Sequence, residues 1–231
     1  MNPFPLFLLT AVVSFCSIVY ELLLAQSMSA TLGDSFLRYN VTIGLYLASL
    51  GLGAMLCSRR KKDDLLLLLA DVEIALTFLG ALGPLLILLV DAAAFKAAAR
   101  WSGAYPVLTL GFDHGLIVLI GLLSGFELPL LMRLGKGEGA DRSTEVLAVD
   151  YFGTLLGAAA FPLVLLPGPG LLSTAALTAL LNGLCALYLL LVLRRDARRL
   201  CLAGAATALC LALLLWREPL QRAALGGYLQ R

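Results

Sequence analysis

The sequence predicts an all-α protein, a polytopic transmembrane helix bundle of about seven spans. Three observations predict it. Hydrophobic residues make up 61% of the chain and charged residues 14%, where a soluble domain carries about 25% charged residues. Mean hydropathy is +0.94. The apolar residues also fall in runs of roughly 20 or more, the length a helix needs to cross a hydrocarbon core about 30 Å thick. A water-soluble fold has no interior large enough to hide so much apolar surface, whereas lipid removes the need to hide it. The net charge of +2 says little about partners, and no basic run is long enough to suggest nucleic acid.

The runs divide the chain in order. Span 1 is expected over 5–32, ending at Gly33-Asp34. Span 2 covers 36–58 and stops at Arg59-Arg60-Lys61-Lys62. Span 3 covers 65–90. Residues 91–105 read as an Ala-rich connector ending in Trp101 and Tyr105, side chains suited to a headgroup interface. Span 4 covers 106–133, followed by a Gly-rich polar loop at 135–143. Span 5 covers 145–166 and ends at Pro167-Gly168-Pro169-Gly170. Span 6 covers 171–193, and the strip Arg194–Arg199 separates it from span 7 at 200–216. Residues 1–216 thus form a transmembrane helical domain, and 217–231 a short polar tail. The N-terminus has no basic region and no small-residue cleavage site, so span 1 is expected to be retained rather than removed as a leader.

Basic residues set the expected orientation. Arg59 to Lys62, Arg133, Lys136, Arg142 and the arginines of the 194–199 strip all fall on one side. Fewer fall on the other: Arg38, Lys96, Arg100 and the tail arginines. The richer side is expected to be cytoplasmic in a bacterial inner membrane. That places the N-terminus inside and, with seven spans, the C-terminus outside; if the short span 7 lies in the interface instead, the tail stays inside. Cys16, Cys57, Cys185, Cys201 and Cys210 lie in or beside apolar segments without a CxxC pair, and read as small packing residues. Gly111/Gly115, Gly121/Gly125 and Gly153/Gly157 are GxxxG pairs, which permit close helix approach; bundle packing is the plain reading and dimerisation the other.

Acidic residues inside the apolar runs carry the functional signal. They are Glu21 in span 1, Asp71 and Glu73 in span 3, Asp113 and Glu127 in span 4, and Asp150 in span 5. His114, the only histidine, follows Asp113, and Arg38 opens span 2. An ionised side chain at the bilayer centre costs at least about 2.5–3.5 kcal/mol, so such groups are expected to face the bundle interior and cluster. From the helical rise, Glu21, Asp113, His114 and Arg38 are expected in an outer cluster. Asp71, Glu73, Glu127 and Asp150 are expected in an inner one. Hydrated positions at span ends for Asp71, Glu73 and Asp150, and a local Asp113–His114 pair, remain open. Pro129 has no N–H and frees the carbonyl of Gly125, one turn from Glu127; a simple kink is the alternative. Pro84 and Pro162 stand in their spans in the same way. An acid-rich, base-poor interior favours a cationic guest. One histidine among scattered carboxylates gives no metal-ligand spacing, and no metal or cofactor is expected.

Several stretches resemble the membrane domain attached to some bacterial spermidine synthases. They are Tyr20-Glu21-Leu22-Leu23-Leu24-Ala25-Gln26, Leu32-Gly33-Asp34-Ser35, Thr42-Ile43-Gly44-Leu45-Tyr46 and Gly51-Leu52-Gly53. Gly125-Phe126-Glu127-Leu128-Pro129-Leu130-Leu131, the block Asp150-Tyr151-Phe152-Gly153-Thr154-Leu155-Leu156-Gly157, Phe161-Pro162-Leu163 and Leu166-Pro167 belong with them. The resemblance covers about half the chain. It implies a membrane module beside a Rossmann-like domain that moves an aminopropyl group from decarboxylated S-adenosylmethionine to putrescine. No glycine-rich nucleotide loop follows a predicted strand here, so the family's catalytic residues match no position and the module is expected to be non-catalytic alone. Glu21, Glu127 and Asp150 carry over. The expected guest is a polyamine or other small cation, with lipid around the bundle and a protein partner or second copy as further candidates. A proton-coupled transporter of a small cation, or a scaffold for a separately encoded partner, are the alternatives.

Overall fold

A computed structural model describes residues 3–31, 35–60, 64–98, 109–137, 140–193 and 197–216. Seven long helices follow one another: α1 (Pro3–Thr31), α2 (Ser35–Ser58), α3 (Leu65–Ala98), α4 (His114–Gly135), α5 (Ser143–Ala160), α6 (Leu171–Leu193) and α7 (Ala197–Leu215). Each is long and apolar enough to cross a membrane. They match the seven apolar runs of the sequence. The expected interfacial pair Trp101 and Tyr105, the basic residues Lys61, Lys62, Arg194 and Arg195, and the polar tail lie outside the described residues.

Three boundaries depart from expectation. The α3 helix runs on to Ala98, so Asp91 belongs to a helix and not to a connector. Alanine is the best helix former, and the run Ala92-Ala93-Ala94 extends the helix that the leucines begin. A π-helical turn, Thr109–Asp113, leads into α4, and a second, Phe161–Leu165, continues α5. Pro162 sits in that second turn, where the wider register accommodates a residue without an N–H. Between α4 and α5, Lys136–Gly137 pairs antiparallel with Ala140–Asp141. Ser143 Oγ and N–H donate to Asp141 Oδ1 at 2.5 and 3.0 Å, and these bonds hold that exposed carboxyl below the usual carboxylate range. The α3 helix passes through Pro84, and α4 through Pro129, without ending.

The α1 helix is the centre of the bundle, packed against α2, α3, α4, α5 and α6. One core region gathers Leu6, Leu69, Leu130 and Leu189; a second gathers Tyr20, Leu24, Ile87 and Ile117. Large apolar side chains also cover the outside, among them Phe36, Tyr151, Phe152, Leu163 and Leu191. Where lipid is as apolar as the core, burial supplies little drive and close contact must hold the helices together.

Glycines supply that contact at two seams. A Cβ on Gly125 would run into the carbonyl of Leu50, one on Gly53 into that of Leu122, and one on Gly121 into the backbone of Tyr46. These three bring α2 and α4 together. On α5, Gly153 and Gly157 do the same against Ala11 and Phe15 of α1. Thus two of the three GxxxG pairs are seams within the bundle. The third, Gly111/Gly115, meets open space. Gly125→Leu is expected to destabilise the detergent-solubilised protein by about 1–3 kcal/mol through overpacking. Gly44→Ala, with no atom within 4 Å of the added carbon, serves as its near-neutral control. Thermal unfolding of the two variants checks both, and equal melting temperatures would refute the seam.

Candidate functional site

A cavity of about 310 Å³ opens between α1, α2, α4 and α5. Glu21, Glu127 and Asp150, from three different helices, line it together with Ser14, Ser17 and Ser124. The geometry follows from helical spacing. Ser14, Ser17 and Glu21 recur at intervals of three and four and share one face of α1. Ser124 and Glu127 do so on α4, and Asp150 and Thr154 on α5. The glycine seams press α5 onto α1 and α2 onto α4, so these faces close around one space.

Each acid is held differently. Glu127 is 4% exposed, and its Oε1 has no hydrogen-bond partner among the described residues. Glu21 is 6% exposed. Asp150 is half-buried and accepts a short hydrogen bond from Ser14 Oγ, which ties α5 to α1 at the cavity wall. Tyr46, fully buried on α2, donates to the Ser17 carbonyl at 3.1 Å, and the hydroxyls of Tyr46 and Ser124 lie 2.9 Å apart. Gly125 and Pro129 are both in the lining. Proline at 129 leaves the Gly125 carbonyl without its helical donor, which adds an acceptor to that stretch of wall. Among the described residues, no lysine or arginine lines the cavity. Arg133, on the same helix as Glu127, lies beside Cys57.

The remaining acids divide. Glu73 is fully enclosed, neither of its carboxyl oxygens has a hydrogen-bond partner among the described residues, and it lies within electrostatic reach of Glu127. It is not part of the cavity lining. Asp71, two residues earlier, faces away: Arg199 of α7 donates to it through Nε at 2.7 Å and Nη2 at 3.0 Å. Residues two apart on a helix do not share a face, so the expected inner cluster loses Asp71 to a partly exposed ion pair. The expected outer cluster also divides. Glu21 joins Glu127 and Asp150, while Asp113 is fully buried within electrostatic reach of Asp91 and Arg38. His114 opens α4 beside it, partly exposed. Sequence reasoning missed Asp91, fully buried on α3, and the hydroxyls of Ser14, Ser17, Ser124 and Tyr46. The spacing of Ser14 and Ser17 relative to Glu21 was the available signal for the first two.

Three proteins named polyamine aminopropyltransferase illustrate what the chain is similar to. One from Ralstonia nicotianae, polyamine aminopropyltransferase 2, is 32% identical over 188 residues, covering 80% of this chain and 35% of its own length. The polyamine aminopropyltransferase of Leptospira interrogans is 30% identical over 212 residues, covering 91% of this chain and 40% of its own. Polyamine aminopropyltransferase 2 of Streptomyces coelicolor is 34% identical over 206 residues, covering 86% and 36%. The relationship to spermidine-synthase-like proteins is therefore partial. The chain spans little more than a third of the length of the curated relatives it matches. No family model matches it, and no solved structure matches it.

The two groups of acids differ in what their removal does. Asp71→Asn is expected to lower stability by less than about 1 kcal/mol, because both partners of its ion pair are partly exposed. It is also expected to leave any cavity ligand bound as before. Chemical unfolding of the variant checks the first expectation; a loss several times larger would show that the pair is a main tie between α3 and α7.

Proposed function

We propose that the chain is an integral membrane module of a spermidine-synthase-like protein, which binds a polyamine through the carboxylates of its interior cavity. The single observation that carries the reading is the cavity itself: Glu21, Glu127 and Asp150 meet around one space with no basic side chain in its wall. Such a lining attracts positive charge, and an enclosed carboxylate of this kind needs either a proton or a cation beside it. Among the described residues, no three of His, Cys, Asp and Glu stand close enough to hold a metal ion. Acids spread over a cavity wall suit a guest with several separated charges, and the serine hydroxyls add acceptors for its N–H groups. Similarity to proteins named polyamine aminopropyltransferase supports a polyamine as that guest.

The membrane setting rests on seven helices of sufficient length and apolarity and on the apolar side chains covering the outside. We place the module in a bacterial inner membrane with its N-terminus inside and its C-terminus outside, on the side bias of the basic residues. Reporter fusions after residues 60 and 142 are expected to be cytoplasmic, and fusions after Arg231 to be external. The reverse pattern would overturn the orientation.

Calorimetric titration of the purified chain with spermidine tests the ligand. Binding is expected for the wild type, with about tenfold or greater weakening in Glu127→Gln, which removes one desolvated charge–charge hydrogen bond of about 1.5–3 kcal/mol. Equal affinity in the two proteins, or no binding in the wild type, sinks the reading.

A further inference from the structure

We propose that Glu73 and Glu127 act as a carboxyl pair that carries a proton while the cavity is empty and releases it when a cation enters. The inference rests on the cation-binding reading of the cavity and adds an exchange to it. Two observations carry it. Glu127 forms part of the cavity wall, buried, with an oxygen that has no hydrogen-bond partner among the described residues. Glu73 stands behind the wall on α3, wholly enclosed, with neither oxygen partnered among those residues.

Among the described residues no lysine or arginine lines the cavity beside the pair; Arg133, six residues after Glu127 on α4, stands beside Cys57. The ionisable groups around Glu127 are Cys16, Tyr20 and Glu21 from α1, Tyr46 from α2 and Glu73 from α3. Asp150 from α5 and Cys185 from α6 stand with them. None is a lysine or arginine. Two ionised carboxylates buried side by side repel each other and lose solvation, so one holds a proton. A cation seated in the cavity supplies the missing positive charge next to Glu127. The O–H bond then breaks, the electron pair stays on the carboxylate, and the proton leaves through the cavity to the medium. One negative charge is created inside for one of the positive charges the guest brings, so the interior gains less net charge than the guest carries. Glu73, with no place in the wall, meets the cation only through Glu127. By linkage, a cation that displaces a proton must bind more tightly as pH rises, about tenfold per pH unit while one proton is released.

Infrared difference spectroscopy of the full chain with spermidine reads the protein's own protons, since the ligand has no carboxyl group. The protonated-carboxyl band is expected to fall on saturation in the wild type. It is expected to be absent from the Glu127→Gln difference spectrum and reduced in Glu73→Gln. Calorimetry between pH 6 and 8 is expected to show the rise in affinity with pH, and a shallower rise in Glu73→Gln. Spermidine binding with an unchanged carboxyl band overturns the exchange and leaves the cavity reading standing. A band change identical in wild type and Glu73→Gln also overturns it, by removing Glu73 from the pair. No binding at any pH overturns both.

Discussion

Charge balance in an apolar interior is the constraint on which this structure depends. A bundle of seven helices with this composition can hold an acid only where another group, a proton or a guest compensates it. The chain meets the constraint in distinct ways. Asp71 is matched by Arg199 near the surface. Asp113 lies with Asp91 and Arg38 in electrostatic reach. Glu21, Glu127 and Asp150 are matched by no basic residue in their shared wall. The first arrangement is complete within the chain. The last has no such counterpart among the described residues of its wall, and that asymmetry sets the cavity acids apart from a structural ion pair.

Helix packing brings the acids to a common space. Carboxylates on α1, α4 and α5 would be scattered if the helices stood at ordinary separations of about 8–10 Å. The Gly153 and Gly157 seam draws α5 onto α1, and the Gly53, Gly121 and Gly125 seam draws α2 onto α4. The Ser14–Asp150 hydrogen bond and the Tyr46 contacts with Ser17 and Ser124 then fix the wall. The fold and the site are therefore consequences of the same small residues.

Much of the fold was legible because its cause is local. Runs of apolar residues specify helices, and turn residues or basic strips end them, so seven segments could be placed, most of their ends within a few residues. Ala92 to Ala94 misled in the other direction: a drop in bulk hydrophobicity looked like a connector, while helix propensity carried α3 onward and buried Asp91. The site was legible only in part. Glu21, Glu127 and Asp150 stand out as charges in apolar runs, but their meeting depends on how each helix is rotated about its axis. Glu73 and Asp71 show the limit. They differ by two positions, which is about 200° around a helix, and nothing within α3 tells which one turns inward. Gly111/Gly115 makes the same point, since its spacing equals that of the two working seams and no neighbour stands against it.

Gly125 concentrates several demands in one residue. Its missing side chain admits the backbone of α2, its carbonyl is released by Pro129, and it stands in the cavity lining two positions from Glu127. The joint between two helices and part of the cavity wall are thus one piece of backbone. Any loosening of the joint reshapes the cavity. The shape of the cavity and the spacing of α2 and α4 can then change only in concert.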